Sequence, residues 1–179
     1  MPASSLSNFV RHYLLAVQFF TRLPITGRLA GWVGYSPEML RASAAHFPGV
    51  GWLVAAVAMG VHTLLWTALA GSSGAALVAA VFSTAATVWL TGGLHEDGLA
   101  DVADGLGGSL DRNRALQIMK DSHIGAFGNL ALVLALLAKV ALLALLGTHG
   151  LGFVLAALAG GHVSSRFWPL LLVRVLPHI

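Results

Sequence analysis

Four apolar runs, at residues 50–70, 75–91, 126–146 and 151–175, make up nearly half of this chain and decide what it can become. Each approaches the roughly 20 residues that an α-helix needs to cross a hydrocarbon core about 30 Å thick. With 57% hydrophobic and 9% charged residues, the chain also falls far below the roughly 25% charge of soluble domains. The expected fold is all-α: one polytopic membrane domain, residues 1–179, with about four transmembrane helices.

The connections fix how the runs are arranged. Gly71-Ser72-Ser73-Gly74 is too short to cross the membrane again, so the first two runs form a hairpin, and Gly147-Thr148-His149-Gly150 turns the last two in the same way. Residues 9–20 are apolar but too short to span, which predicts an interfacial or re-entrant N-terminal helix. The polar start, residues 1–8, carries no positive charge and makes a poor signal peptide. Lys139 lies inside the third run. A central lysine costs about 2.5–3.5 kcal/mol, and nine leucines between residues 130 and 146 each return about 0.3–0.6, so insertion remains favourable.

Charge is distributed to one side. Arg11, Arg22, Arg28, Arg41, Arg112, Arg114, Lys120 and Arg174 fall on the face of the N-terminus, and the two turns opposite carry no charge. By the positive-inside rule that face is cytoplasmic, along with an acidic segment at residues 92–125. The sequence pI near 10 does not imply a nucleic-acid partner, because the basic residues form no patch with interleaved aromatics. The absence of cysteine excludes disulfides, thiolate nucleophiles and Cys-ligated metals.

Six of the seven acidic residues lie between Glu96 and Asp121, and the other is Glu38. At an effective dielectric near 20, two carboxylates about 5 Å apart repel by roughly 3 kcal/mol, so such crowding calls for bound cations, shared protons or water. If residues 94–104 are helical, Asp97, Asp101 and Asp104 project from one face. Oxygen donors of this kind suit a hard cation, magnesium or manganese rather than zinc. Glu96 points about 100° away from Asp97 and is a ligand of second rank. Glycines at 92, 93, 98, 105, 107 and 108 suggest close approach of a ligand or of neighbouring backbone. The spacing fits neither an EF-hand loop nor a phosphate-binding P-loop.

Clustered aspartates at a membrane edge suit transfer of a phosphoryl-linked group: metal bridges a diphosphate and neutralises the leaving phosphate, while a carboxylate takes the proton of the attacking alcohol. Arg22, Arg112, Arg114 and Lys120 are the cations available to phosphates, although each also serves as a membrane-flanking anchor. Lys139 and Arg166 sit within spans, where ionisable side chains are functional candidates, with snorkelling the plain alternative for Lys139. His46, His62, His149 and His162 are expected to be packing residues. Trp52, Trp66, Trp89 and Trp168 fit an interfacial belt.

Several motifs resemble one family: Arg22-Leu23-Pro24 after an aromatic run, Phe47-Pro48, the run Gly92-Gly93-Leu94-His95-Glu96-Asp97-Gly98-Leu99-Ala100-Asp101-Val102-Ala103-Asp104-Gly105, and Ile118-Met119-Lys120-Asp121-Ser122-His123-Ile124-Gly125. The chain is similar, from about Phe19 to Arg166, to the cobalamin synthases, the adenosylcobinamide-GDP ribazoletransferases. The resemblance implies a multi-pass enzyme of the bacterial inner membrane. With Mg²⁺ it would join α-ribazole or its 5′-phosphate to adenosylcobinamide-GDP, releasing GMP and giving adenosylcobalamin or its phosphate. It makes Asp97, Asp101 and Asp104 metal and diphosphate ligands, with Glu96 behind them. Asp121 joins those three aspartates as a catalytic candidate, and Lys120, His95, Arg22 and Arg112 would bind substrate. Self-association as a homo-oligomer is left open. The chain departs from the family pattern at Glu96, often apolar in members, and in length, since members usually extend well past Ile179 with further helices. Three readings follow: a fragment forming the N-terminal part of a longer synthase, a truncated gene model, or a degenerate copy.

Two other functions compete. A membrane phosphotransferase using CDP-linked alcohols shares the clustered aspartates but not the Gly-Gly-Leu-His opening. A divalent-cation transporter would place its acids near the bilayer midplane on several helices, not in one polar stretch.

Overall fold

The computed structural model describes residues 5–175. Arg174, counted above among the positive charges, lies outside the residues whose side chains are described, and residues 1–4 lie outside the described chain. The described residues are all-helical. In order they form α1 (Ser5–Phe20), α2 (Gly27–Val33), α3 (Pro37–Ser43), a 3-10 turn (Ala44–His46), α4 (Phe47–Ala68), α5 (Ala75–Thr91), α6 (Leu94–Gly108), α7 (Arg112–Ile118), α8 (Ala126–His149) and α9 (Leu151–Val175).

The membrane core is α4, α5, α8 and α9. Helix α4 packs against both α5 and α9, and α8 packs against α5 and α9. Small residues permit this: a methyl group on Gly51 of α4 would lie 2.6 Å from the His162 carbonyl oxygen of α9. In lipid, where no hydrophobic force drives helices together, such close backbone approach is what favours association. Ala58, Ala80, Leu143, Val154 and Leu158 form the shared centre. His62, fully buried, spans from α4 to α5 through a 3.4 Å contact between Nδ1 and Ser83 Oγ, as expected of a packing histidine.

Among the described residues, length and apolarity alone identify two to three spans, against the about four expected. Two helical runs, Pro37–Ala68 and Ala126–His149, are long and apolar enough to cross a membrane alone, and a third qualifies if α5 and α6 count as one broken span. The reasons are local. Helix α5 has 17 residues and ends where the chain bends by 87° into α6. Helix α9 has the length, at 25 residues, but carries His162, Ser164, Ser165 and Arg166 in its second half.

Helix α1, 16 residues long, is too short to cross and turns one face inward. Its Ala16, Val17 and Phe20 pack with Val50, Val54 and Leu90, which anchors α1 across α4 and α5. The segment 92–125 is more ordered than a polar connection: it contains α6 and α7, and α6 lies along α8.

Candidate functional site

The site is organised by α6 and by the turn that aims it. Gly92 and Gly93 both adopt left-handed backbone conformations, with φ of 69° and 74°. There the Gly92 and Gly93 amides close α5 onto the carbonyls of Trp89 (3.3 Å) and Val88 (3.0 Å). Two consecutive left-handed residues favour glycine because a Cβ would crowd its own carbonyl. The break frees α6 to leave the α5 axis, and it places Glu96 and Asp97 in the first turn of α6, where the helix dipole favours negative charge.

Asp97 and Asp101 line a cavity of about 590 Å³ between α6 and the segment that follows α7. The opposite wall is Met119, Lys120, Asp121, Ser122, His123 and Ile124, and Gly92 and Gly93 close one end. The structure thus brings together the two motifs that the sequence holds apart. Asp121 is partnered within its own loop: Oδ1 accepts the His123 backbone N–H at 3.1 Å and pairs with His123 Nδ1 at 2.6 Å. These bonds hold the Asp121 carboxyl below its usual value of 3.8 and raise the His123 imidazole above its usual 6.5. Arg22 stands close by, its Nε 2.8 Å from where a Cβ on Gly92 would sit, and its backbone N–H donates to Leu90 O at 2.7 Å. Arg112 is exposed on α7 and lines neither this cavity nor the one described below.

Asp104 sits apart from Asp97 and Asp101. It is 8% exposed, and its carboxylate accepts the backbone N–H of Gly125 at 2.7 Å and of Gly128 at 2.8 Å. Gly125 is the N-cap residue of α8, which has no cap from a side chain of its own, so Asp104 caps that helix from α6. A Cβ at Gly125 or Gly128 would collide with the carboxylate.

Glu96 and His95 face the other side of α6. They line a second cavity, about 600 Å³, with Lys139 of α8 and His162, Ser165 and Arg166 of α9. Sequence reasoning flagged Lys139 and Arg166 as ionisable groups within spans but took His162 for packing. The shared cavity depends on how α8 and α9 meet α6, which no local pattern encodes.

Among the described residues no three His, Asp or Glu side chains are gathered as a ready metal site. The acids still suit a particular ion. Magnesium keeps several waters and is commonly held by one or two carboxylates plus substrate phosphates. Asp97, exposed, and Asp101, half-buried, form such an oxygen pair on one cavity wall, with Lys120 across from them.

The family described as Cobalamin-5-phosphate synthase matches residues 12–179. Among similar curated proteins, the adenosylcobinamide-GDP ribazoletransferases of Polaromonas naphthalenivorans and of Polaromonas sp. strain JS666 are each 62% identical. Those alignments cover 96% and 97% of this chain and 66% of each relative. The ribazoletransferase of Albidiferax ferrireducens is also 62% identical, over 97% of this chain and 62% of its own length. The chain therefore spans a little less than two thirds of the relatives it matches. No solved structure matches it significantly.

Proposed function

Because the chain belongs to the cobalamin-5-phosphate synthase family, we propose that it performs the ribazole transfer after which its relatives are named. In this reading a hydroxyl of α-ribazole or its 5′-phosphate attacks the diphosphate of adenosylcobinamide-GDP at the phosphorus nearer cobinamide. The new oxygen–phosphorus bond forms as the bond to GMP breaks, and the hydroxyl proton passes to a carboxylate.

The observation that carries this reading is the meeting of Asp97 and Asp101 with Lys120 and Asp121 around one cavity. Mg²⁺ held by Asp97 and Asp101 would neutralise charge that develops on the leaving phosphate. Lys120 offers a compact positive charge to a diphosphate oxygen, and Arg22 a planar one near Gly92. Asp121, oriented by His123, is the carboxylate assigned to the proton. The setting proposed for this chemistry is the cytoplasmic face of the bacterial inner membrane.

The test supplies membranes containing the chain with adenosylcobinamide-GDP, α-ribazole and Mg²⁺. GMP and a cobalamin product are expected in equal amounts, both dependent on the metal. Formation of neither product by well-folded protein with Mg²⁺ or Mn²⁺ contradicts the reading.

A further inference from the structure

Asp104 and Gly105 are adjacent in α6, both buried, and neither lines the cavity of Asp97 and Asp101. Each instead holds one end of the segment 119–124 that forms the opposite wall. At its start Met119 lies against Gly105: a Cβ there would come within 2.6 Å of Met119 Cγ and Cε and 3.0 Å of the Ala115 carbonyl oxygen. Just past its end, the Asp104 carboxylate takes the amides of Gly125 and Gly128, one on each oxygen.

Between those ends little else fixes the segment to α6. Lys120, Asp121, Ser122, His123 and Ile124 are all exposed. Among the described residues, the hydrogen bonds they make reach only to Gln117 and Ile118 of α7 or stay within the segment. Exposed connections with so few long-range ties open readily unless their ends are held. Asp101 and Asp97 precede Asp104 by three and seven residues on the same helix, about 4.5 and 10 Å along its axis. Helix α6 is therefore a common frame for both walls of the cavity.

We propose that Asp104 and Gly105 are positioning residues, which hold Lys120 and Asp121 at a set distance from Asp97 and Asp101 and touch neither metal nor substrate. This divides the aspartates of α6 differently from their spacing, which would make all three metal ligands. The expected effect on rate rests on the transferase reading, since a misplacement of about 1 Å at a reacting centre costs about 10²-fold. The geometry itself is measured without turnover.

The test uses the full chain in detergent with Asp104→Asn, Gly105→Ala and, for comparison, Asp97→Asn. Asparagine keeps one acceptor oxygen and turns an NH₂ group towards the second amide, whereas alanine at 105 adds a methyl against Met119 and leaves every charge in place. Because the chain has no cysteine, spin labels on Leu99→Cys of α6 and Ser122→Cys report the separation of the two walls. A narrow distance distribution is expected without further substitution, and a broadened or shifted one with either Asp104→Asn or Gly105→Ala. Affinity for Mn²⁺, standing in for Mg²⁺, should stay within about twofold of the parent in those two variants and fall at least about tenfold in Asp97→Asn, because ligand charge sets affinity. The kcat for GMP release per folded molecule should fall about tenfold to a hundredfold in both, a loss that a change of stability alone would not produce. Failure of the parent to bind Mn²⁺ or to release GMP contradicts the transferase reading alone, and the distances then decide this one. An unchanged distance distribution in both variants, loss of Mn²⁺ affinity in Asp104→Asn as large as in Asp97→Asn, or a kcat unchanged from that of an active parent overturns the proposal.

Discussion

Asp97, Asp101 and Asp104 share one helix face by spacing, yet they stand in different surroundings, and the difference is one of depth. Seven residues at 1.5 Å each carry the chain roughly 10 Å along α6 from Asp97 to Asp104. At that point α6 meets the start of α8, and the amides of Gly125 and Gly128 take the carboxylate. Asp104→Ala should therefore cost about 2 kcal/mol, as loss of a helix cap that leaves buried donors unpaired. Asp104→Asn, which keeps one acceptor oxygen, should cost less, and Asp97→Asn should stay within about 0.5 kcal/mol. Unfolding in detergent with increasing denaturant measures all three. The periodicity of the acids was legible in the sequence. The burial of one of them was not, because it depends on a helix that begins 21 residues further on.

Asp121 and His123 give a second prediction for single residues. The imidazole value is raised by its carboxylate partner, so the pairing is fully present below pH 6.5 and is lost as pH rises through the raised His123 value. At the acid end it is present above the usual 3.8 of Asp121 and is lost as pH falls through that group's lowered value. The NMR titration of the His123 ring should have its midpoint above 6.5, and Asp121→Asn should return it towards 6.5.

At the scale of elements, the break between α5 and α6 is where backbone conformation serves the site. Nothing lies within 4 Å of a Cβ placed on Gly93, so Gly93→Ala should show the left-handed penalty alone, about 1–2 kcal/mol. Gly92→Ala adds a collision with the Arg22 side chain and should cost more. Equal and negligible costs for both would show that the bend does not need left-handed backbone. The glycine pair was visible in the sequence as a sign of close approach, and half of that expectation describes Gly92. Helix α7 was not anticipated. Its start signal, Asp111 accepting the Arg114 amide at 2.8 Å, is clear in the structure, but seven residues give too short a period to stand out among polar neighbours.

At the scale of the whole molecule, the apolar runs foretold an all-helical membrane domain, and the number of spans was the part they could not fix. Length and apolarity fall short in two places: α5 is cut short by the bend that aims α6, and α9 carries the polar His162, Ser165 and Arg166 that line the second cavity. The outer face of α8, with Leu130, Leu134 and Leu137 exposed, is suited to lipid. Because the chain has no cysteine, single cysteines report sidedness without background. In intact cells Ser73→Cys should react with a membrane-impermeant maleimide, whereas Asn113→Cys should react only after the inner membrane is opened. The reverse pattern would put the acidic chamber on the wrong side for cytoplasmic substrates.

The central claim is that Asp97 and Asp101 act together on a metal-bound diphosphate, and the most direct measurement is the rate of GMP release from adenosylcobinamide-GDP by membranes carrying equal amounts of folded parent, Asp97→Asn or Asp101→Asn. Each substitution should lower the Mg²⁺-dependent rate by about 10²–10³-fold, the scale for loss of one group that stabilises transition-state charge. Rates within a few-fold of the parent in both variants would contradict it.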